Sequence, residues 1–331
     1  MRFTIVTPSF NQLDWLELCI ASVADQGRKR AEAGNLSLSE GKVNEWEGEK
    51  VGKWEGGSRA ETEKIFIEHL VCDGGSEGIV DFKGRMLARF PETSHYRLEF
   101  LVGPDAGMYE AINKGLRRST GDICAYLNCD EQYLPRTLRW VADYLSVSPE
   151  TEVLFGAAIV TRADGSYVCD RRVMVPTRWH TMVSGNLSIF TSSTFFRRKS
   201  VVERGLLFDP QWRVCGDAVW ALRLLEAGLR MKATNKPLSA FAETGANMSA
   251  VGNPRAAEEG LRLELSAPAA ARAFKPGVLL AYRFRRWLSG AYALKPHSYA
   301  VYTAEEADRR QRFAVDRPIF RWKMGAVSSP D

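Results

Sequence analysis

The 331-residue chain has no CxxC pair, and its six cysteines stand apart at positions 19, 72, 124, 129, 169 and 215. That spacing offers neither a zinc ribbon nor a disulfide framework. Reduced, buried thiols in a cytoplasmic protein are the expectation. No uncharged apolar run of about eighteen residues occurs, so no membrane-spanning helix is expected. The first residues enter a strand at once, and no secretory leader is expected. His180, beside Trp179, has no partner at metal-ligand spacing and reads as structural. The segment after the first apolar run is TPSFNQ. It is not the glycine-rich, lysine-bearing loop that a nucleotidyltransferase would usually place there. A large excess of one sign of charge is also lacking. A net charge of +5 suits an anionic substrate, an acidic membrane or nucleic acid, and selects none of them.

What is present is an ordinary globular composition, 45% hydrophobic and 26% charged, with length for one large α/β domain or two small ones. Residues 3–7 (FTIVT) read as a buried strand, and Leu13, Leu16, Ile20 and Val23 recur at helical spacing. Residues 28–64 hold eight Lys/Arg, eight Glu and six Gly, the composition of a charged, flexible insertion. Strands are then expected at 65–76, 98–102 and 123–127, with helices at 78–90, around Met108, Ile112 and Leu116, and after Pro135. This alternation predicts a mostly parallel sheet with helices on both faces. Beyond 152 the spacing predicts strands at EVLFGAAIV, SYVCDRRV and SSTFF, a helix over 220–228 ending at Gly228, and a largely helical stretch from 255 to the end.

Parallel sheets place ligands outside the carboxyl ends of their strands. Polar and acidic residues fall on those ends in succession: Pro8, Ser9 and Asn11, then Asp73, then Asp105, then Asp130 with Glu131. One such residue is plain turn chemistry; four strand ends in a row point to a site.

The ordered stretches TIVTPSFNQ (4–12), VCDGGS (71–76), GPDAGMYEAINKGLRRSTGDICAYLNCDE (103–131), FFRRKSVVERGLLFD (195–209) and GDAVWALRLLEAG (216–228) resemble the family 2 glycosyltransferases. The resemblance implies an α/β GT-A fold, a three-layer α/β/α sandwich over residues 1–250, with a helical extension over 251–331. It implies an inverting transferase that moves a sugar from a nucleoside diphosphate, UDP foremost, to a hydroxyl of a glycan or lipid-linked acceptor. Thr7, Pro8, Ser9, Phe10 and Asn11 would then contact base and ribose, and Asp73 would bond the base. Asp105, Asn113 and Lys114 would lie along the diphosphate and sugar. Asp130 matches the last carboxylate of the family's DxD motif and would hold Mg²⁺ or Mn²⁺, with Glu131 as a second oxygen donor. Asn128 and Cys129 depart from the motif, since Asn128 accepts hydrogen bonds but adds no charge. Asp217 would be the general base. Its place at a helix start favours the anion, and Gly216 would let the acceptor approach.

Other features carry less. Arg197, Arg198 and Lys199 read as a solvated basic face. Trp212 could stack on a sugar, whereas Trp220 belongs to the core. The TGANMS loop (244–249) resembles a segment that closes near the diphosphate. Residues 278–294 mix aromatics with Arg283, Arg285 and Arg286. A helix packed on the core with its arginines in water is the preferred reading, and contact with an anionic membrane the alternative. No nucleic-acid partner is expected. The competing function is a non-catalytic nucleotide-sugar or glycan binder that keeps the fold, and Asn128 is its main support.

Overall fold

The computed structural model describes residues 1–27, 65–185, 187–244 and 253–321. The charged stretch 28–64, all of the TGANMS loop but its first residue, and the SSPD tail lie outside the described residues. β1 (Arg2–Ser9) is buried along nearly its whole length. Phe3 and Ile5 enter one core and Val6 the other, as a strand covered on both faces must. α1 (Leu13–Ala24), β2 (Phe66–Asp73), α2 (Ile79–Arg89), β3 (Tyr96–Val102), α3 (Met108–Arg118) and β4 (Ile123–Tyr126) follow. The four strands are parallel in the order β3–β2–β1–β4, so their carboxyl ends share one edge.

The chain continues through β5 (Glu131–Tyr133), α4 (Thr137–Val147), β6 (Val153–Arg162), β7 (Tyr167–Arg171), α5 (Arg178–Val183), β8 (Thr194–Arg197), α6 (Arg198–Val201), α7 (Gly216–Glu226) and β9 (Met231–Glu243). β8 runs antiparallel to β4 and β6, β9 parallel to β6, and β5 antiparallel to β9. The nine-stranded sheet is therefore mixed, and the expected parallel character holds for its first half. Leu16, Ile20, Phe82 and Leu138 from α1, α2 and α4 cover one face. Ile112, Leu116, Val201 and Trp220 from α3, α6 and α7 cover the other. Arg197 does not belong to a solvated face: its guanidinium donates to the carbonyls of Thr151 and Leu145. Arg198 pairs with Glu203 at 2.7 Å.

The C-terminal part corrects the helical expectation. α8 (Pro254–Leu265), α9 (Ala269–Ala273) and α10 (Lys275–Leu288) are followed by an antiparallel hairpin, β10 (His297–Val301) and β11 (Gln311–Val315). HSYAV buries its odd positions, a period of two too short to stand out beside the helical stretch before it. Tyr299, Val301 and Val315 pack against Leu134, Ile159 and Ala240. The Gln132 amide donates to Tyr302 O and accepts from Tyr302 N, both at 2.8 Å. Arg310, 8% exposed, donates to both Asp25 carboxylate oxygens at 2.5 and 3.0 Å and to the carbonyls of Ala300 and Ser22.

Removing one partner of a buried pair strands the other charge, which costs about 3–5 kcal/mol. Arg310→Ala is thus expected to lower the melting temperature by roughly 5–15 °C. The accompanying sign is faster proteolysis after β9, as the hairpin loses its hold; an unchanged melting curve would show the pair contributes nothing.

Candidate active site

A cleft of about 1310 Å³ opens at the edge where β1–β4 end. This exceeds the space one small ligand usually fills and suits two substrates. Pro8, Ser9, Phe10, Asp105, Asn128, Cys129, Asp130, Glu131 and Asp217 all line it. Nine of the fourteen expected site residues are thus brought together.

The other five do not line it, and each has a reason. Thr7 is fully buried and its hydroxyl bonds His69 Nε2 at 2.9 Å, while His69 Nδ1 bonds the Tyr96 hydroxyl at 3.0 Å. Burial holds that imidazole neutral by lowering its pKa to about 3. Asp73 closes its own turn, accepting from Gly75 N, Ser76 N and the Ser76 hydroxyl at 2.7–2.9 Å. Asn11, at φ +53°, donates its N–H to the Ser76 hydroxyl and accepts from Glu77 N. These two residues shape the loops over the cleft without lining it. Asn113 faces inward, clamping both backbone groups of Phe208 at 2.8 and 3.0 Å. Lys114 sets its Nζ beside Gly103, past the end of β3.

At the tip of β4 the chain makes a closed turn. Glu131 N donates to Asn128 O at 3.0 Å, and Asn128 N donates to Glu131 Oε2 at 2.8 Å. One oxygen of Glu131 is thus spent on the turn. Burial, then the neighbouring Asp130 charge, pushes its carboxyl well above the ordinary range. Asn128 Oδ1 and Ser9 Oγ are buried with no hydrogen-bond partner in the protein, and such groups are costly when left unmade. The Cys129 thiol donates to Gln12 Oε1 at 3.1 Å. An orphaned amide oxygen beside two carboxylates is a hard-oxygen donor set that fits Mg²⁺ or Mn²⁺. Among the described residues no cluster of three or more His, Cys, Asp or Glu forms a metal cage. A cation here would therefore complete its shell with ligand oxygens and water.

Asp217 lies in the first turn of α7. Burial pushes its carboxyl up to about 6. The N–H groups of Ala218 and of Asp217 itself oppose that rise, and the Glu259 charge adds to it. The helix-terminus preference for the anion is real, but desolvation outweighs it. Gly216 serves a different purpose from the one expected: a Cβ there would collide with the Tyr109 ring. That ring stacks on Phe208 at 5.4 Å, and its hydroxyl accepts from Asp217 N and donates to Val214 O, both at 3.1 Å.

Several residues of this site were not legible in sequence. Glu259 of α8 accepts from the N–H groups of Arg213, Val214 and Cys215 at 2.8–2.9 Å, fixing the loop that leads into Asp217. Burial alone would raise its pKa, but those three donors lower it overall. Arg171, Arg213 and Lys275 bring positive charge to the cleft wall. The Arg213 guanidinium fills the space a Cβ on Gly107 (φ +122°) would need. Each depends on contacts from distant segments; only the DAG glycine hinted at a close approach. Trp212 is not a sugar platform: it is buried, with the Arg262 guanidinium 4.4 Å above its ring. Trp220 is fully buried, donating Nε1 to Leu206 O.

Comparisons with known proteins agree with this architecture. Residues 60–205 match the family model described as glycosyl transferase family 2. Two curated proteins of Mycobacterium tuberculosis, each called an uncharacterized glycosyltransferase and from different strains, are 25% identical over 167 residues. The match takes in 50% of this chain and 60% of each relative, so the chain spans less than two thirds of their length. Among solved structures, S. aureus TarS residues 1–349 in complex with UDP-GlcNAc aligns with TM-score 0.52 and 13% identity, over 87% of this chain and 73% of that one. The same protein with UDP gives 0.50 and 14%, over 87% and 72%. At these identities the likeness shows the fold, an α/β sandwich of GT-A type.

Proposed function

With a family 2 glycosyltransferase match over 60–205 as the premise, we propose that the chain is an inverting, metal-assisted glycosyltransferase. Its donor would be a nucleoside-diphosphate sugar and its acceptor a hydroxyl on a glycan or lipid-linked saccharide. The observation that carries this reading is the shared cleft, with the Asn128–Asp130 turn at a strand end and Asp217 at a helix start.

The division of labour follows from charge. A nucleoside diphosphate leaves with new negative charge, and a divalent cation held by Asp130 and Asn128 would supply Lewis-acid stabilisation there. Arg213 and Arg171 on the cleft wall add fixed positive charge. Asp217 removes the acceptor hydroxyl proton as the sugar is attacked from the opposite face. A carboxylate raised to about 6 is a stronger base than an ordinary aspartate and is still ionised at neutral pH. The six cysteines are free thiols, which suits the cytoplasm.

TarS, captured with UDP and UDP-GlcNAc, makes uridine donors the first to try. Thermal-shift measurements against a panel of nucleotide sugars, with and without Mn²⁺, test the reading. A UDP-sugar that stabilises only with metal supports it; no stabilisation by any nucleotide sugar sinks it. Asn128 in place of a carboxylate favours the non-catalytic binder as the second reading. Slow metal-dependent hydrolysis of the bound donor would rule that out.

A further inference from the structure

α10 is packed inside out. At 100° per residue, Leu280, Phe284, Trp287 and Leu288 fall within about a 100° arc, and all four are exposed. Phe284 and Trp287 stack on each other at 5.9 Å. The opposite side carries Tyr282 and Arg286, both buried. The Arg286 guanidinium donates to Arg172 O at 3.0 Å and lies 4.9 Å from the Phe320 ring. Tyr282 stacks on His180 with ring centroids 3.5 Å apart. The expectation of a helix packed on the core with its arginines in water holds for Arg283 and Arg285, which are exposed; Arg286 is buried instead, and the apolar arc faces outward. Leu261, Leu265 and Phe274 are exposed nearby in the chain, so seven of the fourteen exposed large apolar side chains among the described residues fall in 261–288. That concentration exceeds the scatter of single apolar residues on an ordinary surface.

Charge indicates what covers the face. Residues 265–304 contain no Asp or Glu; Arg272, Arg283, Arg285 and Lys295 are exposed there, whereas Arg286 is buried and Lys275 pairs with Glu264. Arg283 and Arg285 are exposed and flank the apolar arc. A protein partner that buries a face this apolar need not be acidic. A bilayer with anionic headgroups supplies both an apolar interior and a negative rim, and long arginines reach that rim from a helix lying in the interface. No described helix is long and apolar enough to cross a membrane. The helix also borders the cleft: Lys275 at its start lines it and pairs with Glu264 at 2.7 Å.

We propose that the outward face of α10 docks the protein on an anionic lipid bilayer, with the cleft mouth held beside the lipid surface. Such docking favours a lipid-linked acceptor, and in this respect alone it rests on the transferase reading.

Co-sedimentation of the full chain with vesicles tests it. Binding is expected to phosphatidylcholine–phosphatidylglycerol vesicles and to be at least about tenfold weaker to phosphatidylcholine alone. The exposed double variant Phe284→Ser/Trp287→Ser is expected to bind the mixed vesicles at least about tenfold more weakly, with an unchanged melting temperature. Arg283→Gln/Arg285→Gln is expected to lose about fivefold per arginine on the anionic vesicles and little on the neutral ones. Parent protein that stays in the supernatant with anionic vesicles overturns the proposal. So does unaltered binding by the Phe284/Trp287 variant. A concentration-dependent dimer that this variant abolishes, without vesicle binding, would name a second copy as the occupant and also overturn it. The UDP-sugar and Mn²⁺ thermal shift, read without vesicles, keeps the two questions apart: it can succeed while docking fails, and the reverse.

Discussion

Asp217→Asn is expected to cut sugar transfer by about 10²–10⁴-fold and, at pH 8, to raise the melting temperature. Both follow from one fact. Burial lifts the carboxyl from the ordinary 3.8 to about 6. Because the folded pKa lies above the unfolded one, the group contributes no penalty below about 3.8, and the penalty grows as pH rises to about 6. Above that pH the half-buried anion costs about 1–3 kcal/mol after allowance for solvent. Asparagine is neutral, nearly the same shape, and still accepts the Ala218 N–H. It forgoes the favourable helix-terminus charge, about 0.3–1 kcal/mol, which is smaller. An ordinary helix-capping aspartate behaves the opposite way, since its neutral variant loses stability. Parallel melting curves at pH 5 and pH 8 decide between them: the gain should be fully present at pH 8 and roughly half as large at pH 5. In the parent, kcat/KM should fall about tenfold per pH unit below about 6 as the base protonates. A variant with near-normal turnover would remove Asp217 from the chemistry.

The second large effect concerns Asp130. Asp130→Ala is expected to abolish the metal-dependent stabilisation by a nucleoside-diphosphate sugar while the far-UV spectrum stays that of the parent. At a donor concentration one hundred times Kd, that stabilisation is about 2.7 kcal/mol, easily read in a melting curve. What remains is the neutral oxygen of Asn128 and a Glu131 carboxyl that has one oxygen spent on the turn and is kept from ionising by burial, too weak a pair to hold a divalent cation. Asp217→Asn should keep the metal-dependent shift, so the two variants separate donor binding from proton removal. Retention of the shift by Asp130→Ala would place the cation elsewhere.

Much of this was written in local pattern. β1, β2 and β4 are mostly apolar runs buried on both faces, and β3 alternates buried with exposed positions, patterns that are visible in the sequence. The acids at their tips were visible for the same reason. β9 was not: KATNKPL is polar, and Pro237 sits where the register with β6 shifts, so neither alternation nor apolarity marks it. The β10–β11 hairpin was not visible either, because its strands are only five residues each and follow a stretch of helical composition. At the site, Asp130 and Asp217 belong to recognisable motifs. Glu259 does not, and Tyr109 lies within one without disclosing its role, because what each fixes is more than forty residues away in the chain. Asp73, at a strand end, and Asn113 are ligand contacts by what the family resemblance implies. The structure spends those polar atoms on its own backbone.

The clasp between Asp25 and Arg310 has a consequence for the order in which the molecule is completed. The two residues are 285 positions apart. At a synthesis rate of about 5–20 residues per second, roughly 15–60 s pass between their emergence from a ribosome. During that interval Asp25 awaits its cation, and the β5 end of the sheet lacks the hairpin that later packs on it. A nascent chain in that state presents an uncovered strand to its neighbours, the usual seed of aggregation. Shielding at that stage is the chaperone's task, and yield on rapid overexpression should depend on it.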